Sequence, residues 1–290
     1  MNKRWMYWIV VLLALSLACN VSVQLPGIGE TIRGSGNVIS ESREVSGFDQ
    51  ISVCCGMQLI LTQGETESLE IEADDNLLPE IESYVEGSQL IVRFKDDGGG
   101  INFRTTQTIR VRVSAREIRG VEVSGGGQAE VGDINSDRLS VGLSGGSLAE
   151  FTKVIADALT VDMSGGGNFS AQELAVSSLE MGMSGGSDAS IGKLSAGSLK
   201  VDGSGGGQAT IAGSVNDQEI EWSGGGKYRA GDLESQTAVL RMSGGGSATL
   251  WVQDKLDADL SGGASGEYYG RPVVNQDVSG GGSLKGLGDK

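Results

Sequence analysis

Hydrophobic residues recur at every second position along most of this chain, in short runs that close on a serine and glycines. Val121-Glu122-Val123-Ser124-Gly125-Gly126-Gly127 is one such run, and Val161-Asp162-Met163-Ser164-Gly165-Gly166-Gly167 is another. The closing serine falls at Ser124, Ser144, Ser164, Ser184, Ser204, Ser223, Ser243, Ser261 and Ser279, at intervals of 20, 20, 20, 20, 19, 20, 18 and 18 residues. One position before it stand Val123, Leu143, Met163 and Met183. Three before it stand Val121, Val141, Val161 and Met181, and five before it Leu139, Leu159, Leu179 and Leu199. A period of two is that of a strand with one buried face. A second short strand follows the glycines, as in Ala129 and Val131, Ala189 and Ile191, or Ala209 and Ile211.

One such repeat has too few inward side chains to offset the entropy of ordering its own backbone, so the repeats must stack. Stacked strands sit ~4.8 Å apart, and a chain that winds once per repeat pairs them in parallel. The crossover preference makes the winding right-handed. The pattern therefore predicts an all-β fold, a right-handed single-stranded parallel β-helix (solenoid) of about 20 residues per coil. Glycine, 48 of 290 residues, suits the sharp corners. A flexible Gly/Ser linker would not carry alternation at fixed register.

Two outer regularities refine this. Two positions before the serine the column reads Glu122, Gly142, Asp162, Gly182, Asp202, and then Glu221, Arg241, Asp259, Asp277. Alternation with glycine doubles the spacing of like charges and weakens their repulsion. Three positions after the serine the column reads Gly127, Ser147, Gly167, Ser187, Gly207. Up to Ser204 the unit is thus a pair of coils.

The chain opens differently. Met1-Asn2-Lys3-Arg4 precedes an apolar run from Trp5 to Leu17 and then Ala18-Cys19. That order is a secretory signal, and the run is shorter than the ~20 residues that span a bilayer. Ser16-Leu17-Ala18-Cys19 is similar to a bacterial lipobox, with serine where leucine is usual. It implies cleavage before Cys19 and lipidation of that residue, whose acyl chains would hold the chain on a membrane. The organisation expected is a signal peptide at 1–18, a lipidated cysteine and tether at 19–33, an amino-terminal cap with irregular first coils at 34–117, regular Ser-Gly-Gly coils at 118–284, and a frayed tail at 285–290.

Within the cap region, residues 48–53, 57–61, 69–71, 89–92 and 108–113 read as strands and 96–100 as a turn. Residues 77–85 are the one credible short helix, with Asp74, Asp75 and Asn76 as capping candidates. Cys54 and Cys55 occupy the corner that later repeats give to Ser-Gly. They are small corner residues, a vicinal disulfide or a reactive thiol pair, and the first is the plainest reading. Tyr268-Tyr269-Gly270-Arg271-Pro272 breaks the rhythm near the end of the stack.

Charge and chemistry exclude more than they assign. The chain has no histidine, which removes Ser-His-Asp and Cys-His catalysis. Gly224-Gly225-Gly226-Lys227 lacks the spacing of a phosphate loop. Two cysteines without histidine make a poor zinc site, so no metal or cofactor is expected. A net charge of −16 argues against nucleic acid and anionic surfaces as partners. The candidate surface is the outward column of Glu122, Asp162 and Asp202. Asp162 and Asp202, two coils or ~9.6 Å apart, are the best pair for hydrolysing a polysaccharide, with Asp257 and Asp259 another. A solvated acidic column is the simpler account, and carboxylates so far apart do not share a calcium ion. Arg104, Arg110, Arg112, Arg116 and Arg119 form a basic cluster, read as an outward face that balances the acidic body.

Phe48-Asp49-Gln50-Ile51-Ser52-Val53, Asp75-Asn76-Leu77, the serial Ser-Gly-Gly corners and Tyr269-Gly270-Arg271-Pro272 together resemble the putative auto-transporter adhesin, head GIN domain family, over roughly residues 33–284. The resemblance implies a bacterial envelope protein of β-helical fold and brings no catalytic residues. The function expected is that of a non-enzymatic, membrane-tethered envelope lipoprotein presenting a repetitive surface. Its partners would be the membrane, through the lipid, and a polysaccharide or envelope protein. The alternative is a carbohydrate-active enzyme using the outward carboxylates.

Overall fold

The structure, a computed structural model, describes residues 31–95 and 102–290. The expected signal peptide, Cys19, most of the tether and the turn at 96–100 lie outside the described residues. The described strands are β1 (Thr31–Arg33), β2 (Val38–Arg43), β3 (Gln50–Val53), β4 (Gln58–Gln63), β5 (Ser68–Asp74), β6 (Ile81–Glu86), β7 (Gln89–Phe94), β8 (Asn102–Arg104), β9 (Arg110–Ala115) and β10 (Gly120–Val123). Long bent strands follow: β11 (Gln128–Ser144), β12 (Leu148–Ser164), β13 (Asn168–Gly185), β14 (Asp188–Gly205), β15 (Gln208–Gly224), β16 (Lys227–Gly244) and β17 (Ser247–Gly262). The last three are β18 (Ser265–Tyr269), β19 (Val273–Val278) and β20 (Ser283–Gly288). β1 and β8 form a two-stranded sheet of their own. Residues 33–95 and 105–290 make up the solenoid unit.

β11 to β17 are the regular coils, each paired in parallel with the next. Val141 lies opposite Val161, and the same column continues through Met181, Val201, Ile220, Leu240 and Ala258. The inward columns are buried throughout, from Leu143, Met163 and Met183 to Trp222 and Met242. Gly203 interrupts that last column, and the Trp222 ring of the next coil takes its space: a Cβ on Gly203 would stand 2.2 Å from the indole.

The corners explain the glycines. Gly205 has φ +102°, and a Cβ there would come 2.4 Å from the Gly185 carbonyl oxygen. The same oxygen accepts the Gly206 N–H at 2.8 Å, so stacked corners are joined backbone to backbone. A side chain at Gly205 would break the join and also occupy a conformation L-residues avoid. The Gly/Ser alternation after the corner has a related cause. Ser187 is fully buried, and a Cβ on Gly207 above it would lie 2.2 Å from the Ser187 carbonyl oxygen.

The amino-terminal part stacks out of chain order. β3 lies between β7 on one side and β10 on the other, all parallel, and β4 likewise lies between β9 and β11. Gln58 of β4 is thus opposite Gln128 of β11, although 70 positions separate them in the chain. Antiparallel strands finish this end: β5 against β9 and β2, and β6 against β7. They cover parallel edges that would otherwise be free to recruit another chain.

Three expectations change here. The helix at 77–85 is a single 3-10 turn, Leu78–Glu80, and residues 81–85 belong to strand β6. Pairing decides this: Tyr84 and Val85 lie opposite Ile91 and Leu90 across a tight turn at Gly87, φ +63°. The capping candidates do other work. No side chain caps the turn; instead Asp74 accepts from the Gly36 N–H at 2.8 Å, the Thr106 N–H at 3.0 Å and the Thr106 hydroxyl at 2.6 Å. Asp75 accepts from Ser35 and Asn37. In the tail expected to fray at 285–290, residues up to Gly288 belong to strand β20, paired with β18.

Cys54 and Cys55 do sit at the corner beneath Ser124 and Gly125, with the Cys55 N–H donating to the Ser124 carbonyl at 3.2 Å. They are joined by a vicinal disulfide rather than being merely small. Cys55 adopts φ +66°, the left-handed corner conformation that glycine takes at Gly125 above it.

Candidate functional site

The outward column predicted from the sequence is continuous in space. Glu122, Gly142, Asp162, Gly182, Asp202, Glu221, Arg241 and Asp259 are successive register partners. Two residues further along each strand, on the same face, run the corner serines, with Ser184, Ser204, Ser223, Ser243 and Ser261 in one file. Between column and file runs a groove. One hollow of about 430 Å³ is bounded by Asp202, Glu221, Arg241, Asp259 and the serines 204, 223, 243 and 261. A second of about 360 Å³ is bounded by Asp162, Gly182, Asp202 and the serines 164, 184 and 204. They share Asp202 and Ser204, so they are two stretches of one groove along the stack.

The glycines of the column shape its wall. Asp162 leans over Gly182, where a Cβ would be 2.6 Å from Asp162 Oδ1. The serine hydroxyls are tied to the coil beside them: Ser184 Oγ donates to the Met163 carbonyl at 3.3 Å and Ser261 Oγ to the Met242 carbonyl at 3.5 Å. These bonds are long, so the hydroxyls keep capacity for another partner.

Cations next to the column are already engaged. Lys200 pairs with Asp202 at 2.8 Å, and that hydrogen bond holds its ammonium above the usual lysine range. Arg241 bridges Glu219 at 2.7 Å and Glu221 at 2.6 Å. Glu122, the first residue of the candidate surface, accepts from Gln89 at 2.9 Å and lies below the groove rather than along it. Asp257 pairs with Lys255 at 2.6 Å, while Asp259 lines the groove. Lys200 and Arg241 were legible as same-face neighbours of the acidic column. The serine file, read only as corners, was the missed wall. Among the described residues no three cysteine or carboxylate side chains gather to hold a metal ion, and no helix is long and apolar enough to cross a membrane.

Of the arginines expected to form an outward face, Arg110, Arg112 and Arg119 make ion pairs, and Arg116 donates to the Glu65 carbonyl at 2.8 Å. Arg110 pairs with Glu72 at 2.5 Å, and Arg112 with Glu70 at 2.9 Å and Glu72 at 3.0 Å, joining β9 to β5. Hydrogen bonds from Arg110 and Arg112 hold the Glu72 carboxyl below the usual range. Arg119 reaches Glu117 at 3.0 Å and Asp49 at 3.6 Å.

The family model of the putative auto-transporter adhesin, head GIN domain matches residues 47–173 and again 169–272. The chain belongs to this family. Its head GIN domain spans the groove, and the family's description is adhesin-like, that of a bacterial extracellular or envelope-associated protein. No curated protein matches the sequence. Solved structures share the fold at low identity. A crystal structure described as a putative lipid binding protein from Parabacteroides distasonis is similar at TM-score 0.70 and 20% identity, over 89% of this chain and 100% of that one. A putative adhesin from the same organism is similar at TM-score 0.68 and 19% identity, again over 89% and 100%. A putative adhesin from Parabacteroides merdae is similar at TM-score 0.64 and 21% identity, over 89% and 99%.

Proposed function

We propose that this head GIN domain protein is a lipid-anchored adhesin of the bacterial envelope, and that it binds a linear polysaccharide along the groove between the carboxylate column and the serine file. The observation that carries this reading is continuity: the two hollows share Asp202 and Ser204, and serines recur at each coil, ~4.8 Å apart. A polymer with regularly spaced hydroxyls meets a repeating set of acceptors and donors. Weak contacts made in series by one chain reinforce each other without any single strong site. The acidic wall favours a neutral or amine-bearing glycan over a polyanionic one.

The same geometry gives hydrolysis less support. A general acid needs a raised pKa in an enclosed apolar site. Asp162 stands exposed on an open face, and Asp202 is ion-paired with Lys200 at the surface. Anchoring rests on the lipobox-like Ser16-Leu17-Ala18-Cys19.

A glycan array probed with residues 21–290 tests the binding. Hits that disappear with Ser204→Trp, which fills the middle of the groove, are expected. An array without hits, or hits indifferent to that substitution, would count against the groove. For the anchor, Cys19→Ala should release the protein from the membrane fraction; unchanged retention would remove lipidation.

A further inference from the structure

The coils shorten from β16 to β17, and the mismatch builds a second feature apart from the groove. Ala230 pairs with Leu250 and Glu234 with Trp251, so residues 231–233 have no partner on β17. Trp251 is in turn the register partner of Tyr269 on β18. Two aromatic side chains on adjacent coils thus stand beside Gly231 and Asp232, which remain in β16 but have no register partner on β17. Gly231 matters here: a Cβ would lie 3.2 Å from Thr249 and 3.4 Å from the Tyr269 ring.

An ammonium group occupies this place. Lys290 Nζ lies 5.3 Å from the centroid of the Trp251 ring and 5.4 Å from that of Tyr269. It donates to the Gly231 carbonyl oxygen and pairs with the Asp232 carboxylate. The segment that delivers it is held by the Gly270 N–H donating to the Gly288 carbonyl at 2.9 Å, and by Arg271 paired with Asp289 at 2.5 Å. Two rings within ~6 Å of one cation, together with a carboxylate, make an ammonium receptor. An ordinary surface ion pair requires neither ring.

We propose that Trp251, Tyr269, Asp232 and the Gly231 carbonyl form a binding site for a primary alkylammonium group, with Lys290 as an intramolecular occupant that an external amine displaces. The two acceptors set the class. A primary ammonium can face both rings and still donate to the carbonyl and the carboxylate, whereas a quaternary ammonium has no N–H to give them. Such a group comes from a free diamine or from a lysine side chain on another polypeptide. Occupancy by Lys290 sets the apparent affinity. If the site is open in a tenth of the molecules, an external amine binds roughly tenfold more weakly than to the empty site.

The test uses the full chain and the indole N–H resonance of Trp251, assigned by its loss in Trp251→Phe. It is titrated at constant ionic strength with cadaverine, with Nα-acetyl-lysine methylamide and with tetramethylammonium. Lys290→Ala should show a saturable shift, about tenfold tighter than the intact chain, with a primary amine preferred over tetramethylammonium. Response to cadaverine alone identifies the free diamine as the ligand, and response to the lysine amide a presented side chain. Adding Tyr269→Leu to Lys290→Ala should abolish the shift. Because that change can disturb the last coil, Asp232→Asn in Lys290→Ala is the second arm, and it should erase the preference for the primary amine. No saturable shift in Lys290→Ala, equal affinity with and without Lys290, or an unchanged preference in the Asp232→Asn arm would overturn the proposal.

Discussion

The interior polar chain at Tyr228 offers a quantitative test of how this solenoid is held in register. Tyr228 Oη donates to Gln218 Oε1 at 2.9 Å, Gln218 Nε2 donates to Ser235 Oγ at 2.7 Å, and Ser235 Oγ donates to the Trp251 carbonyl at 2.9 Å. Tyr228 and Ser235 are wholly buried and Gln218 is 2% exposed. Tyr228→Phe keeps the ring and its packing but leaves Gln218 Oε1 without a donor, which should cost about 1–3 kcal/mol. Gln218→Leu strands the phenol instead and should cost a similar amount. The double substitution removes both stranded groups, so it should cost less than the sum, with a coupling of about 0.5–3 kcal/mol. Urea unfolding by circular dichroism measures all four corners of the cycle. Stacked coils can unfold locally, so hydrogen exchange of residues 208–244 should localise the loss. Burial also pushes the Tyr228 phenol far above its usual range. The folded state then keeps a proton that the unfolded chain loses above pH ~10, so stability should fall as pH rises through that point, and less steeply in Tyr228→Phe. A loss under about 0.5 kcal/mol for Tyr228→Phe, or additive singles, would refute the idea that this chain is a coupled unit.

Other outcomes follow from the geometry. Leu143→Asp puts a charge into the buried column and should cost several kcal/mol, while Asp162→Asn on the outer face should change stability by less than about 0.5 kcal/mol; equal unfolding midpoints would contradict the faces. Gly205→Ala should destabilise by more than about 1 kcal/mol through its positive φ and the Gly185 carbonyl, whereas Gly206→Ala, with nothing within 4 Å, should be nearly silent in the same thermal melt. Asp74→Ala should cost about 1.5–3 kcal/mol by leaving the Gly36 and Thr106 groups unpartnered. Burial pushes the Asp74 carboxyl up, but hydrogen bonds from Thr106 and Gly36 outweigh it and hold it below its usual range. Its stabilisation is therefore complete at neutral pH, fades as pH falls below the unfolded value of ~3.9, and is gone below the folded one. Asp74→Asn should flatten that acid limb in pH-dependent melts.

Local pattern alone determined the regular coils. Inward Leu, Val and Met at every second position and glycine at each corner leave one way to bury the apolar face, so the period of 20 in the chain is the period of the stack. The carboxylate column was legible for the same reason, since register follows once the coils are superposed. Gln218 was the visible exception, a polar residue five before Ser223 where Leu139, Leu159, Leu179 and Leu199 stand in other coils. Nothing nearby in sequence says that Tyr228 and Ser235 satisfy it.

Tertiary structure decided what depends on distant partners. The segment at 77–85 has a helix-like start, yet after one 3-10 turn residues 81–86 pair with β7, because that strand partner satisfies their backbone and Ile81 is buried in the core. Stack order at the amino terminus also differs from chain order, since β3 takes both β7 and β10 as neighbours. The groove and the ammonium site belong to the same category. Each is made by residues a coil or more apart, so their chemistry exists only once winding has brought the coils together.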